Sequence, residues 1–246
     1  MKTIHDFLRR HTLRREEVDR FLDRTADNWA FFDSEIGYLL QDHVERDGID
    51  ASYTLSEFSP TGERRMRAYA DLPCRINTYG NSYTQCQQVS DCETWQEYLA
   101  GHLGEPIRNF GIGGIGVYQA YRRMVRVEST PLGVEHVMLC PFGVDDHWRS
   151  IDAYRRVRCG NWFEEHPSMF HSNPWDYCRL DPQTGALVEH RNVCPTPESL
   201  YNLCDTDWVI AAFERDLVMR MYLATNAEFE VDCSDFAPLA ELLGVA

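Results

Sequence analysis

No stretch of the 246-residue chain approaches the 18 or so consecutive apolar residues that a membrane-spanning helix requires. The N-terminus, MKTIHDFLRRHTLRREEVDRF, is charged throughout and lacks the apolar run of a secretory signal, so the cytoplasm is the expected compartment. Basic residues are scarce: 24 Lys and Arg face 39 Asp and Glu, for a formal charge of −15. No Lys/Arg-rich stripe offsets that charge, so neither nucleic acid nor an anionic membrane is an expected partner. The nine cysteines are scattered, odd in number and without a C-x-x-C pair, which favours buried or idle thiols over a disulfide or zinc framework. Low-complexity segments and internal repeats are absent as well.

What is present is an ordinary globular composition, 43% hydrophobic and 26% charged. A chain of this length buries about 70–75% of its unfolded surface and needs no covalent staples. Val18, Leu22, Trp29, Phe32 and Ile36 recur at helical spacings, so the first 45 or so residues are expected to be helical. SYTLSEF and RRMRAYA flank Ser59-Pro60-Thr61-Gly62, a turn signature that predicts a β-hairpin. Residues 1–70 are therefore expected to form a helical and hairpin lead-in to a larger unit over 71–246.

From residue 74 short apolar runs alternate with amphipathic stretches, the pattern of βαβ units on a parallel sheet. Strands are predicted at 74–80, 106–112 and 136–143, and helices at 93–104 and 116–130. Residues 159–200 carry five prolines and the turn Asp181-Pro182-Gln183-Thr184-Gly185, so a hairpin-bearing excursion is predicted there. A long helix follows from near Asp205 through Met221, with Thr206 or Asp207 as its cap.

Polar residues cluster just past the ends of the three strands, where open α/β sheets bind their ligands. Ser82, in Gly80-Asn81-Ser82, sits at the first strand-to-loop corner, a place that exposes its hydroxyl above the sheet and aims its own N–H into the same space. The second strand ends in Asn109-Phe110-Gly111-Ile112-Gly113-Gly114-Ile115-Gly116, where glycines permit close backbone approach. This run echoes a dinucleotide loop, but no acidic residue closes a following strand about 20 residues on, so no nucleotide cofactor is expected. The third strand ends in Gly143-Val144-Asp145-Asp146-His147-Trp148-Arg149. Asp145, His147 and His171 lack a recognisable metal-ligand spacing, and no metal is expected. Aromatic residues at 162, 163, 170, 175 and 177 read as the small core of a hairpin flap.

These three blocks, in this order over residues 74 to about 150, resemble the SGNH hydrolases, also called the GDSL esterase/lipase family. The resemblance implies a three-layer α/β sandwich around a parallel, flavodoxin-like sheet. It also implies a cofactor-free ester hydrolase that removes an acyl group, acetyl foremost, from a carbohydrate or another small ester. Ser82 would be the nucleophile, and the N–H groups of Ser82 and Gly114 would hold the oxyanion. Asp145 falls where the family has an Asn whose amide donates to the oxyanion, and an ionised carboxylate has no proton to donate. The family's closing D-x-x-H block is missing, since none of the nine histidines has an Asp three positions before it. His147 is the fallback base, with His166 and His171 within conceivable reach. The short remainder after residue 225 leads to the expectation that the sheet is incomplete and the chain lacks its C-terminal third, as a fragment, a truncated form or half of a split protein, with an oligomer or a complementing C-terminal segment as the partner this would call for. Acyl transfer by the same serine, and a non-catalytic binding domain on the same fold, are the alternatives.

Overall fold

The computed structural model describes residues 12–143, 145–158, 170–181 and 183–213, together with Asp6, Arg9 and Asp216; for Ile49, Asp145, Val157 and Arg158 it describes the backbone alone. The chain is a mixed α/β protein with a three-stranded parallel sheet flanked by helices.

Of the expected N-terminal helical region, Arg15–Leu22 (α1) is helical, as are the described residues Asp6 and Arg9. Trp29, Phe32 and Ile36 instead belong to an antiparallel hairpin, β1 (Ala30–Asp33) and β2 (Gly37–Leu40). The turn explains the departure: Asp33 Oδ1 accepts from the N–H groups of Glu35 and Ile36, and Gly37 takes a left-handed φ of +87°. That local side-chain bonding offers the backbone a reversal in place of another helical turn. A second hairpin joins β3 (His43–Glu45) to β4 (Thr54–Ser56). The predicted partner RRMRAYA forms no strand; the Ser59–Gly62 turn is present, but pairing stops at one bridge between Phe58 and Arg64.

The sheet follows the sequence pattern closely. It consists of β5 (Ile76–Gly80), β6 (Ile107–Asn109) and β7 (His136–Cys140), parallel and in the order β6-β5-β7. Helix α2 (Ser82–Gln85) follows β5 at once. Helix α3 (Trp95–Leu103) is capped by Thr94 Oγ1 on the Glu97 N–H and stopped by Gly104. Helix α4 (Val117–Glu128) leads from β6 to β7. Successive strand residues face opposite sides of a sheet. Accordingly Ile76 and Ile107 pack with Ala100 of α3, whereas Tyr79 and Phe110 pack with Val127 of α4. Among the described residues no fourth strand joins the sheet, and Val137 and Met138 of β7 remain 41% and 40% exposed.

Helices α5 (Asp145–Ile151) and α6 (Arg155–Arg158) follow β7. The predicted hairpin is β8 (Tyr177–Leu180) with β9 (Leu187–His190). Of the predicted long helix, Thr206–Phe213 (α7) is described, and Leu217 and Met221 lie outside the described residues. Its cap is Asp205, whose carboxylate accepts from the Asp207 and Trp208 N–H groups. The main apolar core unites Leu13, Val18, Phe21, Trp29, Ile36 and Tyr38 with Ile112, Ile115, Trp148, Trp175, Leu200 and Phe213. The N-terminal segment thus shares one core with the segments after the sheet.

Two tyrosines inside this core set an alkaline limit. Burial pushes the hydroxyl of Tyr38 up to about 12 and raises that of Tyr154. Such groups favour folding while they are neutral, so the contribution is complete below pH 10, where the unfolded chain begins to ionise, and declines as pH rises towards 12. Each fully buried tyrosine is worth about 1.4 kcal/mol per pH unit in that window. Urea midpoints at pH 8 and pH 11 should differ accordingly, and equal midpoints would contradict it.

Candidate functional site

In a parallel sheet of order β6-β5-β7, the connections leaving β5 and β6 run to opposite faces, which opens a crevice at the strands' C-terminal ends. Three segments leave the sheet there: 81–86 after β5, 110–116 after β6 and 141–143 after β7.

Ser82 is the first residue of α2 and is half-buried. Its position is set by Asn81, whose Oδ1 caps the helix on the Tyr83 N–H at 2.9 Å and whose Nδ2 donates to Asp146 Oδ1 at 2.7 Å. Asp146 Oδ2 accepts from the Phe142 N–H, so this buried carboxylate ties the ends of β5 and β7 together. Burial raises the Asp146 pKa, against the lowering effect of these two hydrogen bonds. An Asp at position 81 could form the cap but would press a second carboxylate against Asp146; only the amide serves both ends.

The glycine loop packs on α2 backbone to backbone. A side-chain carbon on Gly111 would stand 2.1 Å from the Gln85 nitrogen, which admits no side chain. A carbon on Gly113 would lie 3.6 Å from Ser82 Cβ, so the loop runs directly beside the serine. The Gly113 N–H donates to Gln85 Oε1, and the Gly113 carbonyl accepts from the Tyr38 hydroxyl at 2.7 Å. Gly114 has φ +85° and faces Tyr38, Arg155 and His171.

Buried backbone N–H groups are paired in the great majority of cases, so exceptions carry information. Among the described residues neither the Ser82 N–H nor the Gly114 N–H donates a hydrogen bond, and the Ser82 hydroxyl has no partner. Ser82 also lines a cleft of about 370 Å³ with Tyr83, Cys86, Gln87, Glu93 and Trp95. That is the volume range of small-molecule sites, about 300–1,000 Å³. Tyr83 and Phe142, 63% and 52% exposed, meet ring to ring at 3.9 Å beside the serine. The cleft lining holds one acidic side chain, Glu93, and no basic one. Burial raises the pKa of its thiol, Cys86, which argues against a thiolate nucleophile.

The other expected residues are distributed as follows. Asp145 opens α5, and its side chain lies outside the described residues. Asp146 approaches Arg149, at 3.7 Å. His147 is exposed on α5 and forms no hydrogen bond with Ser82. His171 is buried behind Gly114, with Nδ1 3.0 Å from the Tyr38 hydroxyl oxygen, and its ring lies tilted against that of Trp29 at 4.2 Å. His166 falls outside the described residues. The described cysteines are free thiols, and no cluster among the described residues could hold a metal ion. No described helix is long and apolar enough to cross a membrane.

Sequence reasoning missed three contributors. Gln85 stands three positions after Ser82, one helical turn on, a spacing that could have drawn attention to it. Tyr38 and Arg64 lie far from the motif blocks, and no local signal marks them.

No protein-family model, curated protein or solved structure matches the chain.

Proposed function

We propose that the chain is a serine ester hydrolase of the SGNH type on a three-layer α/β sandwich, acting on a carbohydrate or another small acyl ester. The observation that carries this reading is an unengaged hydroxyl at Ser82 beside the Gly113–Gly114 segment, with the N–H groups of Ser82 and Gly114 both undonated among the described residues. Donors already fixed by the fold stabilise a developing oxyanion without reorganising during the reaction. Ser82 Oγ attacks the ester carbonyl, the two N–H groups receive the oxyanion, and collapse expels the alcohol and leaves an acyl-serine that water then hydrolyses. Transfer of the acyl group to a sugar hydroxyl shares the first half of this path, and free acetate as the sole acyl product would reject it.

A fluorophosphonate probe tests the nucleophile directly. It should label the native protein and fail on Ser82→Ala; equal labelling of both would remove Ser82 from the role. A second reading, a non-catalytic binding domain on the same fold, draws on one observation: among the described residues no histidine or carboxylate is hydrogen-bonded to Ser82 Oγ. Ser82-dependent turnover of p-nitrophenyl acetate would eliminate it.

A further inference from the structure

We propose that Tyr38, from the N-terminal hairpin, is a positioning residue for the second oxyanion donor, holding the Gly113–Gly114 peptide so that the Gly114 N–H faces the Ser82 side of the loop. The inference rests on the serine reading above.

The hydroxyl of Tyr38 donates to the carbonyl oxygen of Gly113 at 2.7 Å, and that carbonyl belongs to the same peptide unit as the Gly114 N–H. No peptide bond among the described residues is cis. In a planar trans peptide the C=O and N–H bonds point in opposite directions, so anchoring the oxygen on Tyr38 sends the Gly114 N–H away from Tyr38. The preceding peptide is anchored from the other side, its N–H on Gln85 Oε1 of the helix that carries Ser82. The loop therefore enters Gly113 fastened to the serine's own helix and leaves it fastened to the hairpin.

This fastening is needed because the segment is Gly-Gly. With no Cβ on either side, both signs of φ are readily populated, and a half-turn of the intervening peptide meets little steric resistance. The flipped peptide would present a carbonyl oxygen where the oxyanion requires a donor. A hydrogen bond accepted at the carbonyl also polarises the peptide and strengthens its N–H as a donor. Tyr38 is fully buried, and burial pushes its pKa up to about 12, so it remains a donor throughout the range in which an esterase works. A side chain on Gly114 would be strained, since its φ is +85° and the added carbon would stand 2.7 Å from that hydroxyl.

Tyr38→Phe deletes the hydroxyl and keeps the ring. In the folded variant, kcat for p-nitrophenyl acetate should fall about tenfold with KM within twofold, and affinity for a boronic acid that forms a tetrahedral adduct on Ser82 should fall by the same factor. A kcat within twofold of the native value would overturn the proposal. An amide readout decides the orientation independently of turnover: the Gly114 N–H resonance should move upfield in Tyr38→Phe. It should move downfield with 3-fluorotyrosine at position 38, a variant of nearly unchanged shape with a more acidic hydroxyl. An unmoved resonance in both would likewise overturn it. A native protein without Ser82-dependent turnover would remove the serine reading, while the Gly114 resonance would still report whether Tyr38 orients that peptide.

Discussion

Ser82→Ala is expected to lower p-nitrophenyl acetate turnover by about three orders of magnitude or more, with the melting temperature nearly unchanged. Loss of a serine nucleophile removes the covalent route altogether, and what survives is the background from substrate binding and oxyanion stabilisation. Stability should be spared because the local fold does not use this hydroxyl. The cap of α2 comes from Asn81, and the tie to β7 runs from Asn81 to Asp146. Steady-state kinetics beside a thermal melt would check both halves. Retention of more than a tenth of the native kcat would show that any measured hydrolysis arises elsewhere.

The largest stability effect is expected at Arg64. Its buried guanidinium donates to Asp91 Oδ1 at 2.8 Å, to the carbonyls of Gln85 and Cys86 at 2.9 Å each, and to that of Val89 at 2.7 Å. Asp91 is buried with it and also receives the Glu57 N–H. Arg64→Leu takes this donor from three carbonyls and from a carboxylate whose one other cationic partner among the described residues is the partly exposed Arg67 guanidinium, at 3.2 Å. Breaking one side of a buried ion pair costs about 3–5 kcal/mol. Arg64→Lys should recover part of that at most, because one ammonium cannot reproduce a planar fork that reaches both Asp91 and the 85–89 backbone. Urea denaturation would measure it, and a loss below about 1 kcal/mol in Arg64→Leu would refute the argument. The same backbone forms a wall of the cleft, so residual activity should fall further than the folded fraction alone requires.

The parallel strands and their helices were legible in sequence because each carries its own punctuation. Thr94 and Gly104 bracket α3, and β5 ends at the Gly-Asn-Ser corner. The serine and its neighbouring glycine loop followed from that pattern. The N-terminal hairpins were misread because Trp29, Phe32 and Ile36 fall at helical spacing by coincidence, and the Asp33–Gly37 turn outweighed that periodicity. His147 could not be judged from sequence, because the orientation of α5 is set by contacts far along the chain: Trp148 enters the core and Ser150 Oγ accepts from the Tyr118 N–H. Tyr38 and Arg64 share the same difficulty. Their partners, Gly113 and the 85–91 segment, are joined to them by packing alone.

The core that joins Leu13 and Tyr38 to Leu200 and Phe213 also bears on how the protein is made. Thr12 and Thr206 meet hydroxyl to hydroxyl across a separation of 194 residues. Long loops must close before such contacts repay the lost chain entropy, so assembly should be slow beside that of a helical bundle of equal stability. During synthesis Trp29, Ile36 and Tyr38 leave the ribosome well before their partners exist, and at about 5–20 residues per second they wait on the order of ten seconds or more with apolar faces uncovered. Production of folded protein should therefore depend on chaperone supply and on lowered growth temperature.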